Sequence, residues 1–261
     1  MERVLKAGRV LFALAIGGLG VEHLVFSHSP QAVFPGESVI PVIPWVPGYP
    51  ILAYLTGIAL IAAALCIALD IRARLAAILF GILFLLCVPL LDLHRIIPRP
   101  TDVGIITVFF ETLALSASAL TLAGTLPPEK SYFPRGDSAL ATLIKSGRFL
   151  FAISSIVFGV DHFLVLGLIA SLVPAWIPWH LFWAYFTGAG FIAAGICIAA
   201  NLVARWAGAL LGLMFLLWFL VLHAPRVMSP ARIHLPAEWS SAFIALAMAG
   251  GSWIHAQRQH T

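Results

Sequence analysis

The chain has 261 residues, of which 61% are hydrophobic and only 10% are charged, and its mean hydropathy is +1.02. Because a soluble domain carries about 25% charged residues, this composition excludes a water-soluble globular protein and indicates a chain that folds in lipid. The net charge of +4 is spread over predicted loops and forms no basic tract, which argues against a nucleic-acid partner.

Three cysteines, Cys66, Cys87 and Cys197, lie in apolar segments, and none forms a CxxC pair. This pattern predicts small core residues and argues against thiol–disulfide chemistry or a cysteine metal site. The sequence also lacks a GxGxxG turn before a helix, a P-loop and a CxxCH haem-attachment motif.

Eight apolar segments are each long enough to form a transmembrane helix, which needs about 20 residues to cross the hydrocarbon layer. Pro-containing breaks such as Pro98–Pro100 and Pro127–Pro128 separate several of them. The predicted spans are Arg9–Ser27, Tyr49–Leu69, Leu75–Leu91, Val103–Gly124, Arg148–Leu168, His180–Ala204, Trp206–Leu222 and Ala237–His255.

Short sequence patterns in the first half recur in the second half, in the same order. The clearest pairs are Val21-Glu22-His23 with Val160-Asp161-His162, Trp45-Val46-Pro47 with Trp176-Ile177-Pro178, Ala53-Tyr54-Leu55-Thr56-Gly57 with Ala184-Tyr185-Phe186-Thr187-Gly188, and Arg74 with Arg205. Leu93-His94 aligns with Leu222-His223 after a two-residue gap, and Glu111 aligns with Glu238 when counted back from Gly124 and Gly251. Such self-similarity predicts a tandem repeat.

The fold prediction is therefore an all-α, polytopic membrane protein whose eight transmembrane helices form two parallel four-helix-bundle repeats. Residues 1–125 form the first repeat, residues 126–146 a cytoplasmic linker and residues 147–261 the second repeat. Because each repeat has an even number of helices, both enter the membrane from the same side, unlike the inverted repeats of many transporters. Gly147-Arg148 repeats Gly8-Arg9 in mid-chain, so the first apolar segment is predicted to be a retained helix and not a signal peptide.

The distribution of positive charge predicts that both termini are cytoplasmic. With that orientation, the outer loops contain only Arg95, Arg99, Arg226 and Arg232 of the 15 Lys and Arg residues. Glu22 and Asp161 then lie roughly 20 Å above the cytoplasmic face, in the outer part of the bilayer.

The repeated polar residues are the candidate site, because an ionisable group at membrane depth costs several kcal/mol unless it is paired or hydrated. The predicted proton relay consists of Glu22, His23, His94, Asp161, His162 and His223. The predicted ligand-binding residues are Tyr54, Thr56, Tyr185, Thr187 and Glu111, and no metal ligand is assigned. Two alternatives stay open: the carboxylates bond neighbouring helices in a purely structural role, or the histidines ligate haem or a metal, although no spacing requires it.

Three features of the sequence resemble the DoxX-like family of membrane proteins. They are a glycine-rich first helix that ends in Gly-Val-Glu-His-Leu or Gly-Val-Asp-His-Phe, the Val-Pro-Ala-Trp-Ile-Pro segment and the Tyr-Phe-Thr-Gly-Ala-Gly helix. The resemblance covers each half of the chain, whereas family members are typically single four-helix units. It implies a multi-pass protein of a bacterial or archaeal cytoplasmic (inner) membrane, linked to periplasmic redox chemistry.

The family is named after a subunit of an archaeal thiosulfate:quinone oxidoreductase, so a quinone ligand and a membrane or periplasmic redox partner are expected from the resemblance. A carboxylate–histidine pair beside a tyrosine hydroxyl would supply the hydrogen bonds and the proton route that a quinone requires. A non-enzymatic membrane scaffold and a small-solute transporter are the rival predictions.

Overall fold

The structure is a computed structural model that describes residues 2–26, 50–128 and 138–257. All regular structure in these ranges is helical. The helices are α1 (Glu2–Phe26), α2 (Pro50–Ala68), α3 (Ala73–Cys87), α4 (Leu93–Ile96), α5 (Val103–Thr125), α6 (Ser138–Leu164), α7 (Leu166–Leu172), α8 (His180–Ala199), α9 (Ala204–Trp218), α10 (Ala224–Val227) and α11 (Pro236–His255).

Seven helical segments of the described ranges are long and apolar enough to cross a membrane. They correspond to the first seven predicted spans, so the prediction of an all-helical, multi-pass membrane protein is confirmed at this level. The eighth predicted span coincides with α11, which has 20 residues and is not among the seven. Helix α6 begins at Ser138, within the predicted linker, while residues 129–137 of that linker lie outside the described ranges.

Two helices pass through a π-helical turn before they end. The turns are Val88–Asp92 after α3 and Phe219–His223 after α9. Pro89 lies within the first turn and Pro225 follows the second by two residues. A proline has no N–H to donate to the carbonyl four residues earlier, so the regular α-helical hydrogen-bond pattern is interrupted near each turn. The turns occupy corresponding places in the two halves, and turns of this kind occur often at functional sites.

The connections from α2 to α3 and from α8 to α9 also match. Asp70 and Arg72 have positive φ angles of 61° and 51°, and Asn201 and Val203 have positive φ angles of 54° and 44°. Asp and Asn adopt this left-handed conformation more readily than most residues, whereas a β-branched valine does so rarely. The two halves therefore use the same tight turn between their second and third long helices.

The long helices pack in matched pairs, but the two halves are interleaved. Helix α1 packs against α2 and α11, just as α6 packs against α8 and α5. Helices α3 and α9 pack against α5 and α11, respectively, and α5 contacts α11. The last long helix of each half thus lies against the first helix of the other half. The assignment of two separate repeats stays a prediction.

Glycines bring α1 close to α2 and α6 close to α8. A Cβ atom on Gly20 would lie 2.7 Å from the carbonyl oxygen of Gly57, and one on Gly159 would lie 2.6 Å from that of Gly188. These distances leave no room for a side chain, so the helix backbones are in direct contact, as is common for membrane helices. Gly57 and Gly188 also contact the Cβ atoms of His23 and His162.

Candidate functional site

The first predicted acid–imidazole pair is deeply buried between α1 and α11. Glu22 is 5% exposed and His23 is 3% exposed. The Ser240 hydroxyl, on α11, donates a hydrogen bond to Glu22 Oε1. The other carboxylate oxygen, Oε2, is buried and has no hydrogen-bond partner among the described residues. Glu22 therefore joins the first helix of one half to the last helix of the other.

The second predicted pair lies between α6 and α5 in a similar arrangement. Asp161 is 6% exposed, and its Oδ2 lies 2.9 Å from the Thr107 hydroxyl. The same hydroxyl lies 2.8 Å from the Val103 carbonyl oxygen, which can only accept. Since a hydroxyl carries one hydrogen, both contacts are full hydrogen bonds only when Asp161 is protonated and donates to Thr107.

Backbone bonds set the tautomer of both imidazoles. His23 Nδ1 lies 2.8 Å from the Leu19 carbonyl oxygen, and His162 Nδ1 lies 2.7 Å from the Phe158 carbonyl oxygen. Because a carbonyl accepts and cannot donate, the Nδ1 atoms carry the proton. The Nε2 atom of each neutral ring is then a proton acceptor.

One cavity brings the candidate residues of the second half together. Its volume is about 570 Å³, within the usual range of ligand sites. Helices α5, α6, α7, α8, α9 and α11 contribute to its wall, together with the π-helical turn at Phe219–His223. The polar lining includes Asp102, Thr107, Glu111, Asp161, His162, Thr187, His223, Ser240 and Ser241, and the rest of the lining is mostly aliphatic and aromatic.

His223 contributes a polar atom without a described partner to this cavity. Its side chain lines the cavity, and its buried Nδ1 atom has no hydrogen-bond partner in the described part of the chain. Buried polar atoms are nearly always paired, so this atom is able to bond a molecule that enters the cavity.

Glu111 also belongs to this cavity, although it is on α5 in the first half. It lies at the wall and interacts electrostatically with Asp161 and with Asp92. Three carboxyl groups and two imidazoles from separate parts of the chain thus line one largely apolar space.

Other predicted site residues are not brought into this cavity. Tyr185 is 49% exposed and its ring packs near Phe163, so it lies on the outside of α8 and does not line the cavity. The expectation that Tyr185 bonds a ligand in the same pocket as His162 therefore needs correction. Tyr54 and Thr56 are half-buried on α2. The side chain of His94 lies outside the described residues.

The hydroxyl partners Thr107 and Ser240 did not emerge from the sequence. Both hydroxyls come from the last long helix of the half opposite to the acid that they contact. No motif marks either residue, and only the interleaved packing reveals them.

Asp92 was also missed, and here the sequence contains a signal. It is 1% exposed, lies beside Thr112, and ends the first π-helical turn, whereas His223 ends the second. Asp92 lies as many residues after Arg74 as His223 lies after Arg205, so an alignment without a gap pairs Asp92 with His223. The gapped pairing of His94 with His223 is therefore wrong in the structure.

Packing also corrects the pairing of Glu111 with Glu238. Gly81 contacts Ser116 and Leu120 on α5, and Gly212 contacts the corresponding Ala249 and Trp253 on α11. In this register, Glu111 matches Ile244.

Glu238 has a different environment from Glu111. It accepts hydrogen bonds from Arg226 Nε at 2.7 Å and Nη2 at 2.6 Å, and from Arg232 Nη1 at 2.6 Å. A bidentate pair of this kind fixes two planar groups relative to each other. Glu238 therefore holds α10 and the following loop against the start of α11.

Another buried imidazole, that of His255, lies at the opposite end of the helices. His255 Nδ1 donates to the Gly251 carbonyl oxygen at 2.8 Å, and Thr121 donates to His255 Nε2 at 3.0 Å. The Phe151 ring stacks on His255 with the centroids 4.1 Å apart. Both ring nitrogens are satisfied, so His255 joins α5, α6 and α11 and is not available to a ligand.

Comparison with protein-family models, with curated proteins and with solved structures finds no match to this chain.

Proposed function

We propose that this chain is a DoxX-like membrane protein that binds a quinone in the cavity of its second half and supports redox chemistry at the outer face of a bacterial or archaeal inner membrane. The family assignment is supported by the sequence motifs around Glu22-His23 and Asp161-His162. The quinone assignment is supported above all by one observation, the unpaired His223 Nδ1 in an apolar cavity that also contains Asp161 and Glu111.

The residues of the cavity suit a quinone head group. A quinone is a flat, apolar ring with two carbonyl oxygens that accept hydrogen bonds, and the corresponding quinol has two hydroxyls that donate them. His223, in the tautomer that carries its proton on Nδ1, is a donor for the oxidised form. His162 Nε2 and the carboxylates are acceptors for the reduced form.

Reduction of a quinone takes up two electrons and two protons. The chain's own contribution is to the protons, because carboxyl and imidazole groups at hydrogen-bonding distance from a ligand can transfer them. The electrons have to come from a partner protein, since the sequence has no motif for a bound redox cofactor. Ser240 lines the cavity and donates to Glu22, which links the buried acid of the first half to the same site.

Purification in mild detergent followed by solvent extraction tests the proposal. We expect a lipid-soluble quinone in the extract of the wild-type protein and a much smaller amount from Asp161→Asn/Glu111→Gln. Asp70→Asn is the matched control, because this carboxylate is exposed and pairs with Arg9 far from the cavity.

A short-chain quinone added to the apoprotein gives a second measurement. Trp183 and Trp218 line the cavity, and quinones quench tryptophan fluorescence, so binding should be visible as quenching. Absence of both bound quinone and quenching would refute the proposal. Carboxylate-dependent solute uptake into vesicles would support the transporter instead.

A further inference from the structure

A second cavity, here called the α8–α9 groove, lies beside the polar cavity. It has a volume of about 660 Å³, and its wall is formed almost entirely by apolar side chains of α8 and α9. Phe186, Leu210 and Leu217 belong to this wall and are each more than half exposed, so the groove opens on the outer surface of the helices. In a membrane protein this surface faces lipid.

The groove and the polar cavity share part of one wall. Trp183, Thr187 and Trp218 line both spaces. The Trp183 and Trp218 rings meet edge to face with their centroids 6.5 Å apart, so these two side chains form part of the wall between the groove and the cavity. Side-chain rotation is much faster than backbone rearrangement, so such a wall can open for a ligand.

The two spaces differ in chemistry. The polar cavity contains the carboxyl and imidazole groups, whereas the groove offers only aliphatic, aromatic and sulfur-containing surface apart from the Thr187 hydroxyl. That hydroxyl already donates to the Trp183 carbonyl oxygen at 2.8 Å. A molecule that fills both spaces therefore needs a compact polar head and a long hydrocarbon tail.

We infer that the α8–α9 groove holds the hydrocarbon tail of the ligand whose head group occupies the polar cavity, so that the ligand is a prenyl-tailed lipid and enters from the bilayer between Trp183 and Trp218. This inference rests on the proposed quinone site and specifies its substrate class. The adjoining position, the shared wall and the size of the groove are its support.

Gly190 provides a way to block the groove. It lines the groove, and a Cβ atom placed on it would meet only Met214, with Sδ at 3.5 Å and Cε at 3.9 Å, which are ordinary contact distances. The side chain in Gly190→Leu therefore extends into the groove without a backbone collision. Gly167→Leu is the matched control, since a Cβ atom at Gly167 meets nothing within 4 Å and Gly167 lines neither space.

The experiment compares a tail-less quinone with an analogue that has two isoprene units, in nanodiscs, with concentrations corrected for partition into the bilayer. The tail is surrounded by apolar groups both in the bilayer and in the groove, so its transfer into the groove gains only packing contacts. We therefore expect the wild type to bind the tailed analogue about tenfold more tightly than the tail-less quinone. Gly190→Leu should abolish this advantage and leave the affinity for the tail-less quinone unchanged, whereas Gly167→Leu should preserve both.

Ala193→Phe is a second variant that blocks the same groove from an exposed position on α8, in case Gly190→Leu does not fold. Equal affinity of the two quinones for the wild type, or a tail advantage that survives in both folded groove variants, would overturn the inference while leaving the quinone site intact. Failure of the tail-less quinone to bind the wild type would instead refute the proposed function.

Discussion

Glu22 and Asp161 begin from nearly the same local sequence and end in different environments. Each lies near the C-terminal end of the first long helix of its half, precedes a histidine and contacts a hydroxyl from the last long helix of the other half. Asp161 lines a cavity of about 570 Å³ together with four other ionisable side chains, Asp102, Glu111, His162 and His223. Glu22 is not among the lining residues and reaches that cavity through Ser240.

The difference arises from residues outside the repeated motif. The second half has His223 where the first has Asp92, and its cavity receives Glu111 where the corresponding residue on α11 is Ile244. A repeated acid–imidazole pair therefore does not by itself define a site. Among the described residues, the pair of the second half lines the cavity, whereas the carboxyl group of the first half bonds α11.

Substitutions at the close helix contacts should lower the stability by a similar amount in the two halves, and this loss is the largest effect that we expect. Gly20→Val and Gly159→Val both force a side chain against a backbone carbonyl oxygen and should each lower the stability by about 3 kcal/mol. Unfolding by a denaturing detergent measures the loss, with Gly167→Ala as control because its Cβ would lie in open space. A large effect in one half only would break the structural correspondence.

Ligand binding should distinguish the halves. Asp161→Asn removes the carboxyl group from the cavity and should weaken the binding of a short-chain quinone by about 30-fold. This factor corresponds to about 2 kcal/mol, which is the worth of a hydrogen bond to a charged group. Glu22→Gln should change the affinity by less than about threefold, because Glu22 acts on the cavity only through Ser240. Quenching of tryptophan fluorescence reports both affinities. Equal losses would show that the two acids have the same role.

Removal of the hydroxyl that contacts each acid should lower the stability by a smaller amount, and the loss should again differ between the two halves. Ser240→Ala leaves both oxygens of the buried Glu22 carboxyl without a described partner and should cost about 1–2 kcal/mol of stability. Thr107→Val should cost less, about 0.5 kcal/mol, since Asp161 faces a cavity that can admit water. Thermal unfolding in one detergent compares the two variants. The reverse order would mean that Asp161, and not Glu22, is the structural acid.

The tyrosines should matter least. Tyr185→Phe should leave quinone affinity within about twofold and stability within about 0.5 kcal/mol, because the residue is half exposed and lies outside the cavity. The same binding and unfolding assays apply. A loss of binding as large as that of Asp161→Asn would restore the Tyr185 hydroxyl to the site.

Hydropathy predicted the helices well, because each long apolar segment has to satisfy its backbone hydrogen bonds internally and so becomes a helix. The motif comparison found Glu22, His23, Asp161 and His162, of which the first three are buried and His162 is half-buried. It did not find Thr107 or Ser240, since the order of helices in sequence does not indicate which half supplies the neighbour of α1 or α6.

Register was the other source of error. The pairing of His94 with His223 requires a gap, whereas an unbroken count pairs Asp92 with His223 at the ends of two matched π-helical turns. A π-helical turn changes the side-chain direction without changing the residue count, so motif similarity alone does not show it.

Photo-crosslinking with an azido-substituted quinone, followed by mapping of the labelled peptides, tests most directly whether the second half contains the ligand site. We predict label on α5, α6 and α8 around Thr107, Asp161 and Thr187, and loss of that label when unmodified quinone competes. Competed label confined to α1 and α2 would contradict the account, because it would place the ligand at the pair that we assign to helix packing.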